Sequence, residues 1–187
     1  MPSLSEADRR AALHLARTAV VNAVSQRKLP DAFPCEGAFA EPRGVFVTLH
    51  VRNRLQGCIG VIEANEPLGE AIVRCAASAA LEDPRFSPMQ PEQLDELSIE
   101  ISLLSPMEPI APEAIEIGRH GLFVRLHAQR GLLLPQVAIE HRLTREQFLE
   151  ETCRKAGLPR DAWRDPEARL FGFTCEVFSE RLNSAEA

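Results

Sequence analysis

The stretch Gly44-Val-Phe-Val-Thr-Leu-His50 returns 77 positions later as Gly121-Leu-Phe-Val-Arg-Leu-His127, identical at five of seven positions. Both are β-branched and aromatic runs, the composition of a strand. The first leads through polar Arg52-Asn53-Arg54 into Leu55-Gln-Gly-Cys-Ile-Gly-Val-Ile62, the second through a polar turn into Arg130-Gly-Leu-Leu-Leu-Pro-Gln136. Each pair reads as a β-hairpin. A helix then follows in both halves. Pro67 to Leu81 carries Ile72, Val73, Cys75, Ala76, Ala79 and Ala80, small residues suited to close packing, and Asp83-Pro-Arg-Phe86 stops it. Thr144 to about Ala156 opens on a capping box with Gln147 and ends at Gly157. Strands close each half, Ser98 to Leu104 after a short turn from Pro91, and Leu170 to Phe178.

Hairpin, helix and strand in the same order twice predict an α+β fold with a mixed or antiparallel sheet, built by internal duplication. Chance similarity between two strand-forming hairpins gives the same echo. The reading places lobes at about residues 28–110 and 111–182 of one domain spanning 1–187. A helix over 3–25 packs on them, opened by a Ser3/Glu6 capping box and carrying Leu13, Ala16, Val20, Ala23 and Val24 at helical spacing. Residues 28–43, with Pro30, Pro34, Gly37 and Pro42, read as a long loop. A cleft between the lobes is the default place for a ligand.

Composition narrows the class without naming a reaction. The chain has 187 residues, 45% of them hydrophobic and 26% charged, with 10 Gly and 14 Pro, which fits a globular domain with its own core. A net charge of −6 opposes a nucleic-acid partner, since phosphate neutralisation by Lys and Arg supplies most of that affinity. No segment approaches the about 18 apolar residues that cross a bilayer, and MPSLSEADRR lacks a secretion signal's pattern, so the expectation is a cytoplasmic protein. Cys35, Cys58, Cys75, Cys153 and Cys175 form no CxxC pair and are expected to be reduced thiols. Glycines form neither a Walker loop nor a dinucleotide fingerprint, and no cofactor or metal is expected.

The most unusual run is Leu55-Gln-Gly-Cys-Ile-Gly60, because two glycines weaken a strand unless a backbone or ligand approaches closely. On a period of two, Gln56, Cys58 and Gly60 share one face. Cys58 is therefore a candidate nucleophile, redox group or metal ligand, or a small buried hydrophobe. Glu100 alternates with Ile99 and Ile101, as a general acid or base in a cleft or as part of a solvated sheet face. Arg85 either binds an anion or fixes the turn with Asp83. His50, His120 and His127 are possible thiol or metal partners with no spacing that compels either role.

The ordered set Gly44-Val-Phe-Val-Thr-Leu, Leu55-Gln-Gly-Cys-Ile-Gly60, Asp83-Pro-Arg-Phe86, Ile99-Glu-Ile-Ser-Leu-Leu104, Gly121-Leu, Gly131-Leu-Leu-Leu-Pro-Gln-Val137 and Lys155-Ala-Gly-Leu158 resembles the AMMECR domain family over almost the whole chain. Prokaryotic members look like the A component of the AmmeMemoRadiSam system. The resemblance implies a two-lobed protein with a groove, and a Memo-like protein and a radical SAM protein as partners. By motif it makes Gln56, Gly57, Cys58 and Gly60 the principal site residues, with Arg85, Glu100, His120 and Gln136 beside them. Cys58 and Glu100 would be catalytic and the others ligand-binding. Gln56 replaces the family's usual Arg, removing a planar five-donor anchor for carboxylate or phosphate. The functional expectation is a thiol-bearing groove used in a modification reaction, with a non-catalytic partner-docking adaptor as the alternative.

Overall fold

A computed structural model describes residues 3–26, 36–63 and 65–180. The chain divides into two compact units, one running up to Leu104 and resuming at Glu176, the other spanning Ser105–Cys175. In the first unit, strands β1 (Val45–Val51), β2 (Arg54–Val61) and β3 (Leu97–Leu104) carry helices α1 (Glu6–Gln26) and α2 (Leu68–Leu81) on one face. Val45, Val47, Leu49, Ile99, Ile101 and Leu103 alternate inward and are buried against Ala16, Ala19 and Val20 of α1 and Ile72, Cys75, Ala76 and Ala79 of α2. The capping residue of α1 is Ser5, two residues beyond the expected Ser3, because the reciprocal capping bonds join Ser5 and Asp8, while Ser3 Oγ donates to Glu176.

The second unit holds β4 (Glu108–Pro109), the hairpin β5 (Gly121–Leu126) and β6 (Gln129–Leu133), α3 (Pro135–Glu140), α4 (Arg145–Lys155) and β7 (Arg169–Phe173). The duplication is visible in the pairing: β1 lies between β2 and β3, and β5 lies between β6 and β7, all antiparallel. The run expected as one strand from Leu170 to Phe178 is two, β7 and β8 (Cys175–Ser179), separated at Thr174. The sheet orders are β2-β1-β3-β8 and β4-β7-β5-β6. So β4, which follows β3, completes the sheet of β7, and β8, which follows β7, completes that of β3. Both crossings occur side by side, where Ser105 N–H donates to the Thr174 carbonyl and Thr174 N–H to Ser105 Oγ. With this exchange the second unit begins at Ser105, and the chain from Glu176 belongs to the first. Arg17 on α1 secures that strand's end, donating twice to Glu180 and once to the Leu97 carbonyl.

Strand β2 is an edge of its sheet, and an edge exposes unpaired backbone groups. At Cys58 these are occupied. Its N–H donates to Asp83 Oδ2 (2.8 Å), and its carbonyl accepts from Arg85 Nη2 (3.1 Å). Arg85 also grips Asp83 through Nε (2.9 Å) and Nη2 (2.6 Å). The loop closing α2 thus supplies the acceptor and donor that a neighbouring strand would. Asp83 is buried. Hydrogen bonds from the Arg85 side chain hold its carboxyl well below the ordinary carboxylate range; burial opposes the shift and the Cys58 N–H reinforces it. One residue earlier, a Cβ on Gly57 would lie 2.0 Å from the Ala79 carbonyl oxygen, so glycine lets α2 touch the strand.

Gly57→Ala should therefore destabilise the protein by about 3 kcal/mol in denaturant unfolding, whereas an unchanged midpoint would mean that α2 and β2 do not press together there. Asp83→Ala leaves the Cys58 N–H unpaired and should lose about 2–3 kcal/mol at neutral pH. A depressed carboxyl contributes its stability above the unfolded value of about 3.9 and loses it as pH falls toward the folded value. The difference between wild type and Asp83→Ala should then be full near neutrality and shrink below about pH 4; a constant difference would contradict the clasp.

Candidate functional site

On the sheet face opposite the helices, register sets Cys58 across from Thr48, and Thr48 across from Glu100. These three form one row over β2, β1 and β3. The Cys58 backbone groups both point away from β1, toward Asp83 and Arg85, which makes Cys58 and Thr48 a non-hydrogen-bonded pair with closely spaced side chains. Thr48 Oγ1 accordingly donates to Cys58 Sγ at 3.3 Å. Cys58, Thr48 and Glu100 are all half-buried. Glu100 has no ion-pair or hydrogen-bond partner among the described residues. Two strand spacings of about 4.8 Å separate its backbone from that of Cys58, too far for direct proton transfer and right for flanking a substrate laid across the strands.

The glycines of the motif do not leave the face bare. Gly60 pairs with Phe46, and a Cβ on it would meet the Phe46 ring at 2.3 Å. The ring fills that space and walls one side of the row. Gly121 accepts the ring of its partner Phe173 in the same way, so this device is repeated in the second unit. On the other side the period of two breaks: Leu49 pairs with Gly57 but His50 pairs with Leu55. Gln56 is the extra residue of a β-bulge, which re-aims a side chain. Its Nε2 donates to the Ser87 carbonyl (3.0 Å), and its Oε1 accepts from Gln93 (3.5 Å). Gln56 therefore latches the loop after α2.

Six of the eight sequence-derived site residues, Gln56, Gly57, Cys58, Gly60, Arg85 and Glu100, come together in the first unit. His120 and Gln136 belong to the second. His120 Nδ1 accepts from the Glu116 N–H (3.0 Å), closing the turn that contains Gly118, whose φ is +85°. Gln136 lies on α3, a helix that the sequence reading merged with the preceding strand although Pro135 at its first position marks its start. Sequence reasoning missed two contributors. Asp83 was visible as half of a turn, and Thr48 only becomes visible once the hairpin register is fixed. Among the remaining thiols, burial pushes Cys75 up to about 11 and raises Cys153, so both are neutral core groups; Cys35 lies outside the described residues. No group of three or more His, Cys, Asp or Glu fit to hold a metal occurs among the described residues.

Comparison with known proteins agrees with this architecture. The AMMECR1 family model matches residues 13–178. A Methanothermobacter thermautotrophicus protein is 43% identical over 187 residues, covering 95% of this chain and 96% of its own. A Thermococcus kodakarensis protein is 43% identical over 182 residues, covering 90% and 88%. The crystal structure of an uncharacterised Pyrococcus horikoshii protein, PH0010, superimposes with a TM-score of 0.82 at 40% identity, covering 91% of this chain and 90% of that one. With residues 13–178 matched by the family model and relatives above 40% identity along most of their length, the chain belongs to the AMMECR1 family.

Proposed function

We propose that Cys58 is the working group of a thiol-centred site on the open face of the first sheet. The carrying observation is where the protein places an ion pair. Asp83 and Arg85 hold both backbone groups of this one edge residue, while its sulfur receives a hydroxyl donor and the residue stays half-buried. Fixing a reactive group through its backbone is how a site is preorganised. The chemistry that suits this arrangement is thiolate attack on an electrophilic carbon. The S–C bond forms, the leaving group departs with its electron pair, and the thiol proton passes to solvent or to that group. Glu100, across the row, engages a donor or cationic group at the substrate's other end.

This reading gives the chain a modification reaction, carried out in a system with Memo-like and radical SAM partners. It rests on the Cys58 environment and on the family resemblance respectively. Iodoacetamide labelling of the native protein, followed by peptide mass spectrometry, tests the first part. Cys58 should react faster than the buried Cys75 and Cys153, and Thr48→Val should slow Cys58 about threefold by removing the hydroxyl that positions its sulfur. If Cys58 is no faster than the buried thiols, it is a packing residue and the docking role becomes the function to pursue.

A further inference from the structure

The second unit contains a hollow that the thiol site does not use. A cavity of about 640 Å³ opens between the end of β6, α3 and α4, within the size range of small-molecule sites. Leu133, Val137 and Leu143 give it an apolar lining, and His141, Arg154 and Lys155 stand around it with a single acid, Glu151. That acid is already neutralised. Arg154 pairs with it at 2.5 Å and Arg160 at 3.2 Å. Lys155 and His141 are exposed and have no acidic partner among the described residues. In a chain of net charge −6, this leaves Lys155 as an unpaired cation, with the His141 imidazole beside it, over a hydrocarbon floor.

Cations in the last turn of a helix ordinarily complement its dipole, and Arg154 and Lys155 occupy the last turn of α4. That role does not account for the cavity. The α4 terminus is closed by its own backbone, with Gly157 N–H donating to the Arg154 carbonyl and Leu158 N–H to the Cys153 carbonyl. His141 comes from a different element, the end of α3. Its neighbour Arg142 takes a φ of +51°, in the left-handed region where glycine is usual. The bond from Leu143 N–H to the Ala138 carbonyl then turns Leu143 back toward α3. The turn thus delivers an imidazole and an apolar wall residue to the same hollow.

We infer that this cavity is a binding site for a small organic anion with a compact apolar body, the head group meeting Lys155 and the body lying on Leu133, Val137 and Leu143. Neither a bare inorganic anion nor a neutral lipid satisfies both halves of the lining.

Trp163, the one Trp in the sequence, packs on the same apolar cluster as Leu133 and Leu143 and serves as a built-in reporter. The test is titration of the whole chain with 8-anilinonaphthalene-1-sulfonate, read by emission sensitised from Trp163. Competition by octanoate and by octylamine follows, in wild type and in Lys155→Glu. Saturable binding displaced by octanoate and not by octylamine, and weakened at least about tenfold by Lys155→Glu with an unchanged melting temperature, is the expected result. No sensitised emission, equal displacement by both competitors, or unaltered affinity in Lys155→Glu would overturn the proposal. Should Lys155→Glu lower the melting temperature, Lys155→Gln with His141→Gln replaces it under the same criteria.

Discussion

The ion pair between Asp83 and Arg85, closed onto the two backbone groups of Cys58, is the constraint on which the first unit depends. An edge strand ordinarily leaves such groups to water or to another chain. Here a loop fixed at the end of α2 supplies a carboxylate for the N–H and a guanidinium for the carbonyl. The loop in turn is placed by the contact that Gly57 allows between β2 and Ala79. Helix, loop and strand are therefore set by one another, and the sulfur of Cys58 inherits a fixed position on the far face of the sheet. Because the carboxylate is buried, its partner cannot be removed without leaving an uncompensated charge, and such losses are larger than the pair's own net contribution.

Most of the fold was legible because it rests on local pattern. The repeated hairpin announces the central strands, and small residues at helical spacing announce α2. Gly157 and the Thr144 capping box mark the ends of α4 as observed. What sequence could not supply was partner choice. Nothing local in Leu170–Phe178 says that its two halves join different sheets, because the partners are strands distant in sequence. The break falls at Thr174, where the bonds with Ser105 take over from the ladder.

The candidate site shows the same division. The motif around Cys58 drew attention by its glycines, and both have a structural reason: Gly57 admits a helix, and Gly60 admits the ring of Phe46. Of the two reasons the glycines offered, close approach of a backbone or of a ligand, the first holds at Gly57, where the Ala79 carbonyl presses on the strand. The alternation that grouped Gln56 with Cys58 fails at one bulged residue, which period-two reasoning cannot foresee. Thr48 has no signal of its own, and its importance is a matter of register. Second-unit candidates such as His120 were chosen by resemblance, and the observed contact of that ring is with its own turn.

The central claim is that Cys58 is immobilised through its backbone although it lies on a sheet edge. Native-state amide hydrogen exchange measures this at the atom concerned. The account predicts that the Cys58 amide exchanges only through global unfolding, with an opening free energy equal to the stability from denaturant titration. Exchange of that amide through low-energy local opening, orders of magnitude faster than the core amides of β1, would show that the clasp does not hold the residue.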